Sequence, residues 1–142
     1  MSLFRAINIS ASALTAERFR MDIISKNIAN VNTTKTANGT PYRRQVVVLK
    51  ESEKNSFKSH LNKALNVSGV EVSSVKDDNS PYKRIYDPGH PDADKEGYVL
   101  MPNVDIVTEM VNMISSTRAY EANVTALNST KSMMMKALEI GK

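Results

Sequence analysis

A seven-residue beat runs through both ends of this chain, and it constrains the fold more than any other feature. In the N-terminal stretch Ile7, Leu14, Met21 and Ile28 fall at one heptad position, while Leu3, Ser10, Glu17, Ile24 and Val31 fall at its companion. Seven of these nine are apolar, the pattern of a coiled-coil seam. Near the C-terminus Ile106, Met113, Tyr120, Leu127 and Met134 share one position, and Met110, Thr117, Val124, Lys131 and Leu138 share the next. Eight of these ten are apolar. At 1.5 Å per residue the two runs make helices about 40 Å and about 50 Å long. Ser2 suits an N-cap for the first, and Asn103, behind Pro102, suits one for the second. Asp105 and Glu109 lie at the positive end of the second helix dipole and Lys136 near its negative end, with Gly141 placed to stop it.

Two long helices bracketing one chain close most simply as an antiparallel pair with the middle looped out. Such a pair covers one seam and leaves its flanks open. Phe4, Tyr120, Met133 and Met135 then become surfaces for other subunits. The alternative is a central segment that folds back over those flanks and makes a self-sufficient α+β domain. A hydrophobic content of 41% and a mean hydropathy of −0.35 fit a protein with much exposed surface. No run reaches the roughly 18 apolar residues of a membrane span, so membrane insertion is not expected. The opening MSLFRAINIS has helical spacing and lacks the apolar core and cleavage site of a signal peptide. With no cysteine, disulfides and thiolate chemistry are excluded.

Between the helices the pattern changes. YRRQVVVLK (Tyr42–Lys50) has a β-branched centre and VSGVEVSSVK (Val67–Lys76) alternates, so both read as strands. PYKRIY (Pro81–Tyr86) and GYVLM (Gly97–Met101) are shorter candidates. The polar stretch ESEKNSFKSHLNKAL between the first two is a short helix or a loop. The fold expected is mainly α with a small β-rich insertion. Long N- and C-terminal helices pair as an antiparallel coiled coil around a central β hairpin or small sheet. The segments are 1–33, 34–102 and 103–142. Charge is uneven across this middle: residues 32–64 carry a net +5 and residues 65–102 a net −3. Adjacent blocks of opposite sign suit head-to-tail packing of identical subunits, an anionic partner, or two solvated faces.

Chemistry finds few footholds. His90 with Asp87, Asp92 and Asp94 invites a metal reading, but the oxygen ligands and closing Glu of a calcium loop are missing. His90-Pro91-Asp92 also matches the loop tripeptide of J-domain co-chaperones, yet strands rather than a basic helix precede it. A rigid turn of Pro and Asp-capped bends is the plainer reading. Two histidines, no phosphate loop and no nucleophile elbow give no basis for an enzyme, a metal site or a cofactor. Lys35, Arg43, Arg44, Lys50, Lys54, Lys58 and Lys63 form a basic block. Only Tyr42 and Phe57 are interleaved with it, so nucleic-acid binding is not expected.

Three stretches resemble a known family. SKNIANVNTTKTANGTPYRRQ (Ser25–Gln45) is similar to the N-terminal signature of bacterial flagellar rod and hook proteins. SPYKRIYDPGHPDADKEGYVLMPNVD (Ser80–Asp105) and MISSTRAYEANVTALNSTKSMMMKALEIG (Met113–Gly141) complete the likeness. The chain thus resembles the flagellar basal-body rod proteins, and most closely the proximal-rod type. Between Asn32 and Tyr42 it is longer than the short turn of many rod and hook relatives. The resemblance implies a structural subunit, not an enzyme. Such subunits are exported by the flagellar type III apparatus without a cleaved signal. They polymerise with paralogous rod proteins into the helical drive shaft that carries torque from motor to hook. The implied partners are other rod subunits, copies of itself and, at one end, the membrane-ring or rod-adaptor proteins of the basal body. No nucleic acid is among them. The implied location is the rod, spanning the periplasm.

On this reading Leu3, Ile7, Leu14, Met21, Ile24 and Ile28 pack against Met113, Tyr120, Leu127, Met134 and Leu138. Arg118, Glu121 and Asn123 make polar contacts between helices or subunits. Asn27 and Asn30 cap or bridge the end of the seam. Tyr42, Arg43 and Arg44 begin a β arm and its basic face. The helices are marginal when isolated. The alternative function is a soluble coiled-coil adaptor or export chaperone that never enters a filament.

Overall fold

The structure, a computed structural model, describes residues 3–52 and 68–140. The expected cap at Ser2, the stop at Gly141, the seam contact of Leu3 and residues 53–65 of the helix-or-loop segment lie outside the described side chains or residues. Two long helices dominate: α1 (Leu3–Ala29) and α2 (Ile106–Ile140). Between them come β1 (Gln45–Glu51), β2 (Val70–Asp77), β3 (Lys83–Tyr86) and β4 (Tyr98–Met101). The helices pack antiparallel. Asn27 reaches Glu109 at one point, and the Thr117 hydroxyl oxygen lies 3.6 Å from the Met21 sulfur at another. Mainly helical architecture with a β insertion is what the heptads and the alternating strands implied.

The seam itself differs from the heptad reading in one row. On α1, Ala16 and Ile24 are buried, and Ile7, Leu14, Met21 and Ile28 are half-buried. On α2 the half-buried row is Met113, Tyr120, Leu127 and Met134, as the heptads give it, but Ile106 at the head of that row is exposed. The companion row is Glu109, Ser116, Asn123 and Thr130; of the expected row Met110, Thr117, Val124, Lys131 and Leu138, only Val124 is half-buried, and Thr117 touches Met21 from the edge of the seam. Met110 and Leu138 are exposed. Small and polar side chains in the contact row let two helices approach closely, while larger apolar residues are left facing outward. Thr130 and Asn123 satisfy themselves by bonding the carbonyls of Ala126 and Ala119 one turn back.

The strands form two separate two-stranded antiparallel sheets. In β1–β2, Val48 pairs with Ser74 and Leu49 with Val72, so Ser73 is the extra residue of a bulge. This hairpin lies along α1, with Val47 buried beneath it. At the far end the Ser12 hydroxyl accepts from the Val70 amide at 3.1 Å and donates to Ile9 O at 2.7 Å. Gly69 makes that approach possible, because a Cβ there would sit 2.6 Å from Ser12 Oγ. In β3–β4 the inward Val99 is buried. The outward face is a ladder: the Arg84 guanidinium lies 4.7 Å over the Tyr98 ring, and Tyr86 meets Tyr98 edge-on at 5.3 Å.

The loop between β3 and β4 is built from Asp-capped turns. Asp87 Oδ1 accepts from Gly89 N, and Asp94 Oδ1 accepts from Glu96 N and Tyr98 N. Those amide donors hold the Asp94 carboxyl below the usual carboxylate range. His90 Nδ1 accepts from Asp92 N, and Asp92 accepts from the Thr34 hydroxyl at 2.7 Å. The four groups of the metal reading therefore point to separate local partners. Among the described residues no three His, Asp or Glu side chains are placed to hold an ion. Gly97 is held at φ +81°, and a Cβ there would lie 2.9 Å from the Tyr86 ring.

Candidate functional site

One polar cluster joins both helices to the start of the β arm. It begins where α1 must stop. Asn30 Nδ2 donates to the Lys26 carbonyl at 2.8 Å, and Asn30 Oδ1 accepts from Thr33. The chain then turns through residues 30–40 and returns, with the Tyr42 amide on Thr33 O at 3.1 Å. Pro41 and Tyr42 are buried against the end of α1.

Asn27 sits at the centre with 1% of its surface exposed. Its Oδ1 accepts from the Tyr42 hydroxyl at 2.9 Å and from the Gln45 amide at 3.0 Å. Its Nδ2 donates to the Gln45 carbonyl and to Glu109 Oε2, both at 2.9 Å. The side-chain amide thus treats Gln45 as a neighbouring strand would. It pairs with both backbone groups at the start of β1 while holding α2 with its remaining hydrogen. All four hydrogen-bonding capacities of the amide are used.

Glu109 is fully buried. Its other oxygen, Oε1, accepts from Arg44 Nε at 2.9 Å and Nη2 at 2.7 Å, a two-pronged charged contact. Arg44 Nη1 reaches Asp78 Oδ2 at 3.3 Å. Burial pulls the Arg44 guanidinium toward losing its proton, but the bonds and charges of Glu109 and then Asp78 outweigh it, and its pKa is raised. The Asp78 carboxyl is held low by the hydroxyl and amide of Ser80, with Arg44 adding to the effect. Burial, with the Asp77 and Glu109 charges behind it, pushes the Tyr42 phenol up. A buried ion pair of this kind is costly to break, because removing one partner strands the other charge.

Asn103 closes the cluster. Its Oδ1 accepts from the Arg44 amide at 2.8 Å, and its Nδ2 donates to the carbonyls of Asp78 and Ser80. It is therefore a brace between the two hairpins and not the N-cap of α2. The cap is Asp105, whose Oδ1 accepts from the Thr108 amide at 2.9 Å. That bond keeps the Asp105 carboxyl below its ordinary range.

The basic and acidic blocks of the sequence also meet inside one chain: Arg44 pairs with Asp78 at the joint and Lys50 with Glu71 at the far end of the hairpin. Lys83, a base within the acidic block, pairs with Asp105 beyond it. Arg43 lies 4.7 Å over the Tyr82 ring and bonds Asn79. Arg43 and Arg44 are thus turned inward, where a basic face for the arm was expected. Of the residues read from the sequence, Asn27, Asn30, Tyr42, Arg43 and Arg44 come together at this joint. Ile7, Leu14, Met21, Ile24, Ile28, Met113, Tyr120, Leu127 and Met134 line the seam. Arg118 and Glu121 pair with each other at 3.6 Å on an exposed face, away from α1. Leu138 is exposed beyond the helix–helix contact. Sequence reasoning treated Glu109 as a helix-dipole residue and missed its place opposite Asn27. It also missed Gln45, and it gave Asn103 the role of helix cap.

Comparison with known proteins bears on this geometry directly. Residues 7–35 match the family model described as flagella basal body rod protein, and residues 95–140 match that of the flagellar basal body rod FlgEFG protein C-terminal. The whole chain is 54% identical to the flagellar basal-body rod protein FlgC of Bacillus subtilis, covering all of both. The chain belongs to the flagellar basal-body rod protein family. It is 48% identical to the FlgC of Borreliella burgdorferi over 99% of this chain and 98% of that one. It is 41% identical to the FlgC of Salmonella typhimurium over the full length of both. Within this rod-family chain the two matched segments meet at the joint. Asn27 lies in the first and Glu109 in the second, and Arg44, from the arm between them, completes the contact.

Proposed function

We propose that this chain is a structural subunit of the proximal rod of the flagellar basal body. It polymerises with paralogous rod proteins and copies of itself into the helical drive shaft that transmits torque to the hook. One end of that assembly meets the membrane-ring or rod-adaptor proteins. The role needs no catalysis and no cofactor, and the chain reaches its place by flagellar export. None of the described helices is long and apolar enough to cross a membrane.

The observation that carries this reading is a face of α2 that none of the described residues covers. Ile106, Val107, Met110, Val111 and Ile114 are 45–70% exposed, while the buried apolar residues of the described chain are few. A helix that turns its larger apolar side chains outward is suited to contacts with other chains. Farther along, Met133, Met135 and Leu138 are exposed too; the exposed Arg118 and Glu121 would serve polar contacts between subunits, and Asn123, in the small row of the seam, would serve between helices. Unlike faces must meet in an open helical filament, so this face need not pair with itself.

Val111→Asp tests it. The variant is expected to keep the helical signal of the free chain and to be absent from purified hook–basal bodies. Normal incorporation of this variant would overturn the assignment of the face.

A further inference from the structure

We infer that Asn27, Arg44 and Glu109 form a register lock: they select one alignment of α1 against α2 that the seam itself does not select, and they fix the arm to that alignment. The inference concerns the folded chain and holds whether or not the chain enters a rod.

The seam nearly repeats along α2. Its large row, Met113, Tyr120, Leu127 and Met134, is apolar throughout. Its small row, Ser116, Asn123 and Thr130, is short, neutral and polar. Sliding α2 by one heptad, about 10 Å along the axis, exchanges like for like at each of these positions. Glu109 is the exception. It heads the small row, yet it is long, charged and fully buried. Only the observed alignment brings its carboxylate to Asn27 Nδ2 at 2.9 Å and to Arg44 at 2.7 Å. A one-heptad slip puts Ser116 or Pro102 opposite Asn27 and strands the Glu109 charge. A single buried polar contact at one seam position is a known way to specify register. Here the same amide also holds both backbone groups of Gln45. Helix alignment and arm direction are therefore set by one side chain.

The chain has no cysteine, so paired spin labels can be placed cleanly. Ser25→Cys on α1 and Ala122→Cys on α2 are both exposed positions. Electron–electron distance measurements on the purified chain are expected to give one narrow distribution. Adding Glu109→Ser, which makes the small row uniform, is expected to retain helicity and produce a second population from chains slipped by about 10 Å along the axis. Leu127→Ala, which weakens the seam without touching the lock, is expected to keep the single distance. The inference is overturned by any of three results. They are a single unshifted distance in the Glu109→Ser chain, loss of its helicity, or a second population in the Leu127→Ala chain.

Discussion

Replacing Asn27 by Asp changes no volume and tests the joint where it is most exposed to failure. Two of the four bonds survive in kind, because an introduced carboxyl still accepts from the Tyr42 hydroxyl and the Gln45 amide. The other two reverse. The former Nδ2 position becomes an oxygen 2.9 Å from Glu109 Oε2 and 2.9 Å from the Gln45 carbonyl, acceptor against acceptor. The folded variant escapes by holding a proton on the introduced carboxyl, which can then donate to Glu109. Keeping a proton at pH 7 on a group of unperturbed pKa about 3.9 costs about 4 kcal/mol. That is a large share of the roughly 5–15 kcal/mol that stabilises an ordinary domain. The sign is fixed by linkage. The native variant binds one more proton than its unfolded chain, so its stability relative to wild type falls as pH rises above about 4. The slope is about 1.4 kcal/mol per pH unit until the full loss is reached. Urea unfolding of both chains between pH 4 and pH 7 measures it. A difference below about 1 kcal/mol that does not change across this range would refute the closeness of Asn27 and Glu109.

Other expectations follow from single contacts. Gly69→Ala is expected to cost about 1–3 kcal/mol by forcing a methyl group onto Ser12 Oγ, and Ser12→Ala in the same chain is expected to restore part of it, as thermal unfolding of the pair would reveal. The raised Tyr42 phenol gives stability that is present below pH 10 and lost as pH climbs through its folded value. Ultraviolet titration should therefore show one of the five tyrosines ionising late, and Tyr42→Phe should remove that step at a neutral-pH cost of about 1 kcal/mol. The Arg118–Glu121 pair, 80% and 60% exposed, is expected to contribute less than about 0.5 kcal/mol in the free chain, measured by a double-mutant cycle. An effect on assembly without one on stability would place these two residues at a contact between subunits.

Much of this architecture was legible because it is local. The heptads set both helices, and alternation at Val70 and Val72 with the β-branched run at Val46–Val48 set the first hairpin. What misled was the assumption that both apolar heptad rows must face inward. Met110 and Leu138 are better seam residues than Ser116 or Thr130 by hydrophobicity alone, yet they are exposed. A chain built for contacts with other chains leaves its larger apolar groups outside, and one sequence carries no mark of which row that is. The cap shows the same limit. Asn103 and Asp105 are equally good caps in sequence, and Asn103 is diverted by partners at Arg44, Asp78 and Ser80 that local reasoning does not bring near. The joint was half visible. Asn27, Tyr42 and Arg44 stood out beside the helix stop, but Glu109 lies 82 residues from Asn27, and only the fold brings them together.

The central claim is that α2 turns one face to its own α1 and another to neighbouring rod subunits. Photo-crosslinking from Val107 and Val111 in purified hook–basal bodies addresses it most directly. Adducts the size of two rod subunits are expected from both positions, and no intersubunit adduct is expected from the buried Ser116 on the opposite face. Incorporated chains that give no adduct at Val107 and Val111, or that crosslink to a neighbour from Ser116, would contradict it.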